Sequence, residues 1–171
     1  MKIKWIVCIL LLSSCLSCGY HFSPGGENID AAVQKVFIGN FSNSTSEANV
    51  ENYIRNAFFT RFRSGTRFSL VAGKGKADAV LTGKIKSITS SHLAYSSSDM
   101  ARENRVWMTV EVVFKRTDNG GVIWMNKGLS GREAYTVDVN TTTTAANRKT
   151  AISKLSIDMA DKAYRNMMSG F

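Results

Sequence analysis

The chain has 171 residues, 44% of them apolar and 20% charged, and a formal charge of +9. That length suits one domain able to bury a proper core. All three cysteines (Cys8, Cys15 and Cys18) fall in the first 18 positions, which excludes a disulfide framework in the rest of the chain.

Met1 to Phe22 (MKIKWIVCILLLSSCLSCGYHF) opens with Lys2 and Lys4 and continues in an unbroken apolar run from Trp5 to Leu12. The run has the length of a signal-peptide core and falls short of the roughly 20 apolar residues that span a bilayer. Small residues and two cysteines follow at once. This is the layout of a bacterial lipoprotein signal, with cleavage before a cysteine and acylation of its thiol and its new N-terminus. Leu12-Ser13-Ser14-Cys15 is by itself the better processing box, because Cys15-Leu16-Ser17-Cys18 puts Cys and Leu in the two upstream positions. The plainer alternative is an ordinary secretory signal with incidental cysteines, and the clustering of the cysteines weighs against it. Neither cysteine is followed by Asp, the residue that retains lipoproteins in the inner membrane of enterobacteria-like systems, so the outer membrane is the expected destination. Cleavage before Cys18 removes Lys2 and Lys4 and leaves a domain of charge +7. Such a domain suits a phosphate-bearing lipid or an acidic protein, and a secreted chain is not expected to meet nucleic acid.

Ser23 to Asp30 (SPGGENID) holds the only proline and predicts a tether. Residues 1–17 are thus read as signal peptide, 18–30 as lipidated tether and 31–171 as one domain. Lys35 to Phe41 alternates as a strand. Ser44 and Glu47 have capping-box spacing ahead of a helix over about 47–63. In it Val50, Tyr53, Ile54, Ala57, Phe58 and Phe62 make one stripe, with Phe59 at the flank of the core and Gly65 suited to a left-handed cap. Phe68 to Val71 predicts a short strand, and Ala72 to Lys76 a turn without phosphate-loop spacing. Ala77 to Thr89 predicts a strand with Leu81, Gly83 and Ile85 on one side and Lys84 and Lys86 on the other. Ser90 to Asn104 is a long polar segment, read as a hairpin tip or loop.

Arg105 to Arg116 alternates most regularly, with Val106, Met108, Val110, Val112 and Phe114 against Trp107, Thr109, Glu111, Val113 and Lys115. Asp118 to Gly121 predicts a hairpin turn, after which pairing resumes at Val122 and runs on through Tyr135 and Val137. Asn140 to Ala146 leads into a helix over about 145–168 with Ile152, Leu155, Met159, Ala160, Ala163 and Met167 as its stripe. Strands in a row flanked by two helices predict an α+β fold, one sheet with both helices on one face.

No catalytic inventory emerges. His21 and His92 have no second ligand at helical spacing, and neither a nucleophile elbow nor a dinucleotide fingerprint occurs. No enzyme, metal or cofactor is expected. Cations are more informative. Arg61, Arg63 and Arg67, with Lys74 and Lys76 nearby in sequence, suit the end of the first helix. Arg102 and Arg105 bracket the end of the polar segment. Arg148 and Lys149 open the last predicted helix, where the dipole disfavours positive charge, which tilts them toward holding anions.

Cys18-Gly19-Tyr20-His21-Phe22 resembles the Cys-Gly-aromatic-His-Leu/Phe start of mature LptE-type lipoproteins, the lipopolysaccharide-assembly family, and this favours Cys18 over Cys15. Lys35 to Val71 is similar to that family's first strand, helix and second strand. Ala77-Asp78-Ala79-Val80-Leu81-Thr82-Gly83 resembles its A-D-hydrophobic-hydrophobic-L-x-G block, and the Val106 strand, the Trp124 hairpin, Tyr135 and the final helix follow in order. The resemblance implies two α-helices packed on one face of a mostly antiparallel/mixed four-stranded sheet, in the order β-α-β-β-β-β-α. It implies a non-enzymatic component of lipopolysaccharide transport, held in the outer membrane by N-acyl and diacylglycerol chains on Cys18. That component would face the periplasm and sit inside the lumen of a large LptD-like β-barrel as plug and assembly partner. It also implies lipopolysaccharide binding, for which Arg102, Arg105, Arg148 and Lys149 occupy comparable regions. Two alternatives remain open. VFIGNFSNST also resembles small envelope lipoproteins that regulate peptidoglycan synthases or build secretion pores, and a scattered acidic pair would make a glycan hydrolase.

Overall fold

The computed structural model describes residues 28–92 and 102–170, with Arg102 by its main chain alone. The signal peptide, both candidate acylation sites, most of the tether and positions 93–101 lie outside the described residues. Element order is β1 (Lys35–Asn43), α1 (Val50–Ser64), β2 (Ser69–Leu70), a 3₁₀ turn (Lys74–Lys76), β3 (Ala79–His92), β4 (Arg102–Arg116), β5 (Val122–Val137) and α2 (Thr141–Ser169).

The sheet has five strands in the order β2-β1-β3-β4-β5, not four. The fifth is β2, two residues that pair in parallel with Lys35 and Val36. β1 and β3 are also parallel, with α1 as their crossover, so only the β3-β4 and β4-β5 pairings are antiparallel. A mixed sheet follows from the helix between β1 and β3, because a parallel return needs a long connection. The hairpin at residues 118–121 forms as predicted: Arg116 N–H donates to Gly121 O at 2.8 Å, and Gly120 takes φ 72°.

Alternation assigns the two faces of β4. Val106, Met108, Val110, Val112 and Phe114 are buried beneath the helices, and their neighbours face the other way. α1 lies over β1, and α2 lies beside α1 and over β5. The helical stripes pack as predicted, with Tyr53 half-buried against the core. Phe62 is the hub: its ring meets Phe68 at 5.5 Å, Tyr164 at 5.1 Å and Phe114 at 6.2 Å, joining both helices to the sheet.

Several local expectations are corrected. No capping box forms. Asn49 caps α1 in the left-handed region at φ 64° without a side-chain bond, and the Asn43 amide donates to Glu47 O at 2.7 Å. Gly65 is extended, with φ −81° and ψ 152°, so it is no left-handed cap; a Cβ there would collide with the Tyr164 hydroxyl. Phe59 is 40% exposed and does not flank the core. α2 starts at Thr141, where Asn140 accepts the Thr142 N–H at 2.8 Å. The polar segment is largely strand at both ends, because Ser90, Ser91 and His92 keep pairing with Val106, Arg105 and Asn104.

Candidate functional site

The face of the sheet turned away from the helices is the most distinctive surface. On β4 it carries Arg105, Trp107, Thr109, Glu111, Val113 and Lys115. Register adds Lys84 opposite Glu111 on β3, and Arg132 opposite Trp107 on β5. Lys86 crosses β4, pairing with Glu111 at 3.2 Å and donating to Lys127 O at 2.9 Å. That leaves Lys84, Arg105, Lys115 and Arg132 without a carboxylate partner among the described residues, against Glu103 at the far end of the same face. A surface of this composition concentrates anions.

The four cations singled out by sequence do not share one surface. Arg105 is half-buried on the open face, opposite Ser91 and Ala134. Arg148 turns to the helix side: its Nη1 is ion-paired with Glu47, and its Nε lies 3.4 Å from Ser90 Oγ. Lys149 is exposed at the mouth of a groove between α1 and α2, beside Tyr53 and Ile157. Arg102 pairs by its main chain with Val137. Because α2 begins at Thr141, Arg148 and Lys149 lie two turns inside it, beyond the first turn where the dipole acts, so the electrostatic reason for choosing them falls away.

Two cations of the first-helix cluster are structural. Arg67 donates to Val33 O at 2.9 Å and Asp30 O at 3.1 Å, fastening the segment before β1. Arg61 meets Asp161 at 3.0 Å and stacks 4.3 Å from the Tyr164 ring, closing one end of the interhelical groove. Burial pushes the Tyr164 hydroxyl pKa up. Among the described residues, no group of His, Cys, Asp and Glu could hold a metal, and no helix is long and apolar enough to cross a membrane.

Sequence reasoning passed over Lys84, Trp107 and Arg132 as site residues. The signal for Trp107 was its place among Thr109, Glu111 and Lys115 on the polar phase of β4. Nothing local pairs Arg132 with it, since β4-β5 register sets that contact.

Two helices on one face of a mixed sheet, with a second face left open, define a two-layer α+β domain. Residues 33–167 match the model of the LptE family, described as lipopolysaccharide-assembly, and the chain belongs to that family. No curated protein matches the sequence. Among solved structures, a putative lipoprotein from Caulobacter crescentus is similar at 12% identity, with 76% of this chain and 89% of that one covered and a TM-score of 0.52. The hypothetical protein CT253 from Chlamydia trachomatis is similar at 8% identity, covering 81% and 99%, with a TM-score of 0.50. Rare lipoprotein B from Shewanella oneidensis is similar at 16% identity, covering 80% and 96%, with a TM-score of 0.49.

Proposed function

We propose that this chain is a non-catalytic, lipid-anchored component of outer-membrane lipopolysaccharide transport. It partners a large β-barrel and holds lipopolysaccharide by its phosphates. The observation that carries the binding reading is the open sheet face, where Lys84, Arg105, Lys115 and Arg132 make no ion pair among the described residues and Glu111, across from Lys84, is paired with Lys86. Family membership supports the barrel as partner. The anchor is Cys18, with Cys15 as alternative, and two or more acyl chains make such attachment stable. Arg guanidinium forks grip phosphate bidentately, and Lys adds charge without that geometry.

The test uses the full-length tagged chain, purified from detergent-solubilised outer membranes. A stoichiometric large β-barrel is expected to accompany it. Recovery of a peptidoglycan synthase, of rings of the chain itself, or of nothing overturns the barrel reading. Lipopolysaccharide is then titrated onto the purified protein. Reversing Lys84, Arg105 and Arg132 to Glu is expected to weaken binding at least tenfold, whereas reversing Arg148 and Lys149 costs much less. Undiminished binding in the open-face variant overturns the assignment of the surface.

A further inference from the structure

Among the described residues, the cationic end of the open face carries one large aromatic side chain at its centre. Trp107 is 40% exposed. Thr89 and Arg132 flank it on the neighbouring strands, and the Arg132 guanidinium carbon lies 5.1 Å from the indole centroid. Arg105 follows two residues along β4, on the same face and within reach of a long side chain. Thr109 lies two residues the other way, opposite Ser130. These residues include no carboxylate. Glu111 beyond Thr109 is tied to Lys86 at 3.2 Å, and Glu103 lies beyond Arg105.

This combination is more specific than a positive patch. Phosphate alone needs guanidinium and ammonium groups and gains nothing from an indole. An acyl chain needs an apolar trough, and the immediate neighbours of Trp107 are hydroxyls and cations, whereas the exposed apolar residues of this face, Met125 and Val122, lie toward its other end. A sugar ring matches every part: its polarised C–H faces stack on a π surface, its hydroxyls exchange hydrogen bonds with Thr89, Thr109 and Ser130, and an attached phosphate meets two guanidinium forks.

We propose that Trp107, Arg132 and Arg105 form a site for a phosphorylated sugar ring, which stacks on the indole with its phosphate against the two arginines. The inference rests on the lipopolysaccharide reading for the source of that ring, and deepens it by naming the polar headgroup, not the acyl chains, as the part held here. A soluble sugar phosphate offers the same chemistry, and the experiment separates the two sources.

The probe is glucose 6-phosphate, titrated onto the full-length protein in detergent micelles beside glucose and inorganic phosphate. Calorimetry reads the affinity in the parent and in every variant, and in the parent the Trp107 indole N–H resonance, with that of Trp124 as internal control, locates the bound compound. Saturable binding of glucose 6-phosphate, about five- to tenfold tighter than inorganic phosphate, is expected at Trp107 alone. Trp107→Ala should abolish that advantage while phosphate still binds, Trp107→Phe should restore part of it, and Arg132→Gln should weaken both phosphate compounds. Equal affinity for glucose 6-phosphate and inorganic phosphate, an unchanged Trp107→Ala variant, or no binding at all overturns the site. Lipopolysaccharide titrated onto the same variants distinguishes the failures. If it still binds and is lost only on charge reversal, the sugar site falls and the broader reading stands. If glucose 6-phosphate binds and lipopolysaccharide does not, the soluble source replaces the glycolipid and the broader reading falls.

Discussion

Single residues in this protein are often decided by the space around them. Gly83 is the clearest case. It pairs with Phe41 and Val112, and a Cβ there would collide with the Phe41 ring and lie 2.5 Å from Glu111 O. The aromatic edge has nowhere to go, because Phe41 stacks on Phe58 at 5.3 Å. Gly83→Ala is expected to destabilise the fold by about 1–3 kcal/mol, read as a lower urea midpoint, with overpacking as the cause. An unchanged midpoint would mean that β1 and β3 are free to part. Sequence exposed the small residue but not its reason. Gly83 looked like one more position on the apolar side of a strand, and Gly65 looked like a helix cap when its use is to admit Tyr164.

At the scale of elements, α2 shows what periodicity can and cannot say. Its stripe was legible, and Leu155 is buried where sequence placed it. What the stripe packs on was not legible. Leu155 and Met159 cross β5 at Gly131, where a Cβ would come within 2.7 Å of Leu155 Cδ1. Leu155→Ala is expected to cost about 2–5 kcal/mol by opening a cavity against both layers. Ile157, two positions on and 54% exposed, should tolerate Ala within about 0.5 kcal/mol. Denaturant unfolding of the two variants checks this, and similar losses would refute the helix orientation. β2 marks the opposite limit. A short strand over Phe68 to Val71 was legible, but Ser69-Leu70 is too short for its partner to be read from pattern, and it pairs in parallel with β1 because the chain leaving α1 returns alongside it.

The whole molecule is closed at one end by a network of carboxylates. Asp78 accepts the N–H groups of Lys35 at 2.7 Å and Gln34 at 3.0 Å, and these hold its carboxyl below the usual range. Asp118 is lowered first by the Arg116 guanidinium, and Asp30 first by the Ala32 N–H and then by Arg116. All three are depressed, so their stabilisation is complete above the unfolded-state pKa of about 3.9 and is lost as pH falls through the lower folded-state values. The urea midpoint is therefore expected to hold down to about pH 4 and then drop. Asp78→Ala should start lower and fall less steeply. Parallel acid curves for variant and parent would remove Asp78 from the explanation.

The sequence by itself determined what depends on local order and spacing: the signal-like start, the α+β class, both helical stripes, the alternation of β4 and the family resemblance. The tertiary structure decided what depends on register and layer. It set the strand order and the parallel pairings of β1 with β2 and β3, and it took Arg148 to Glu47 while leaving Arg105 on the open face. It also brought Arg132 to Trp107 across 25 residues of chain. The physical reason is range. A strand's own pattern says which side chains share a face, but only pairing with its neighbours says which charges meet there.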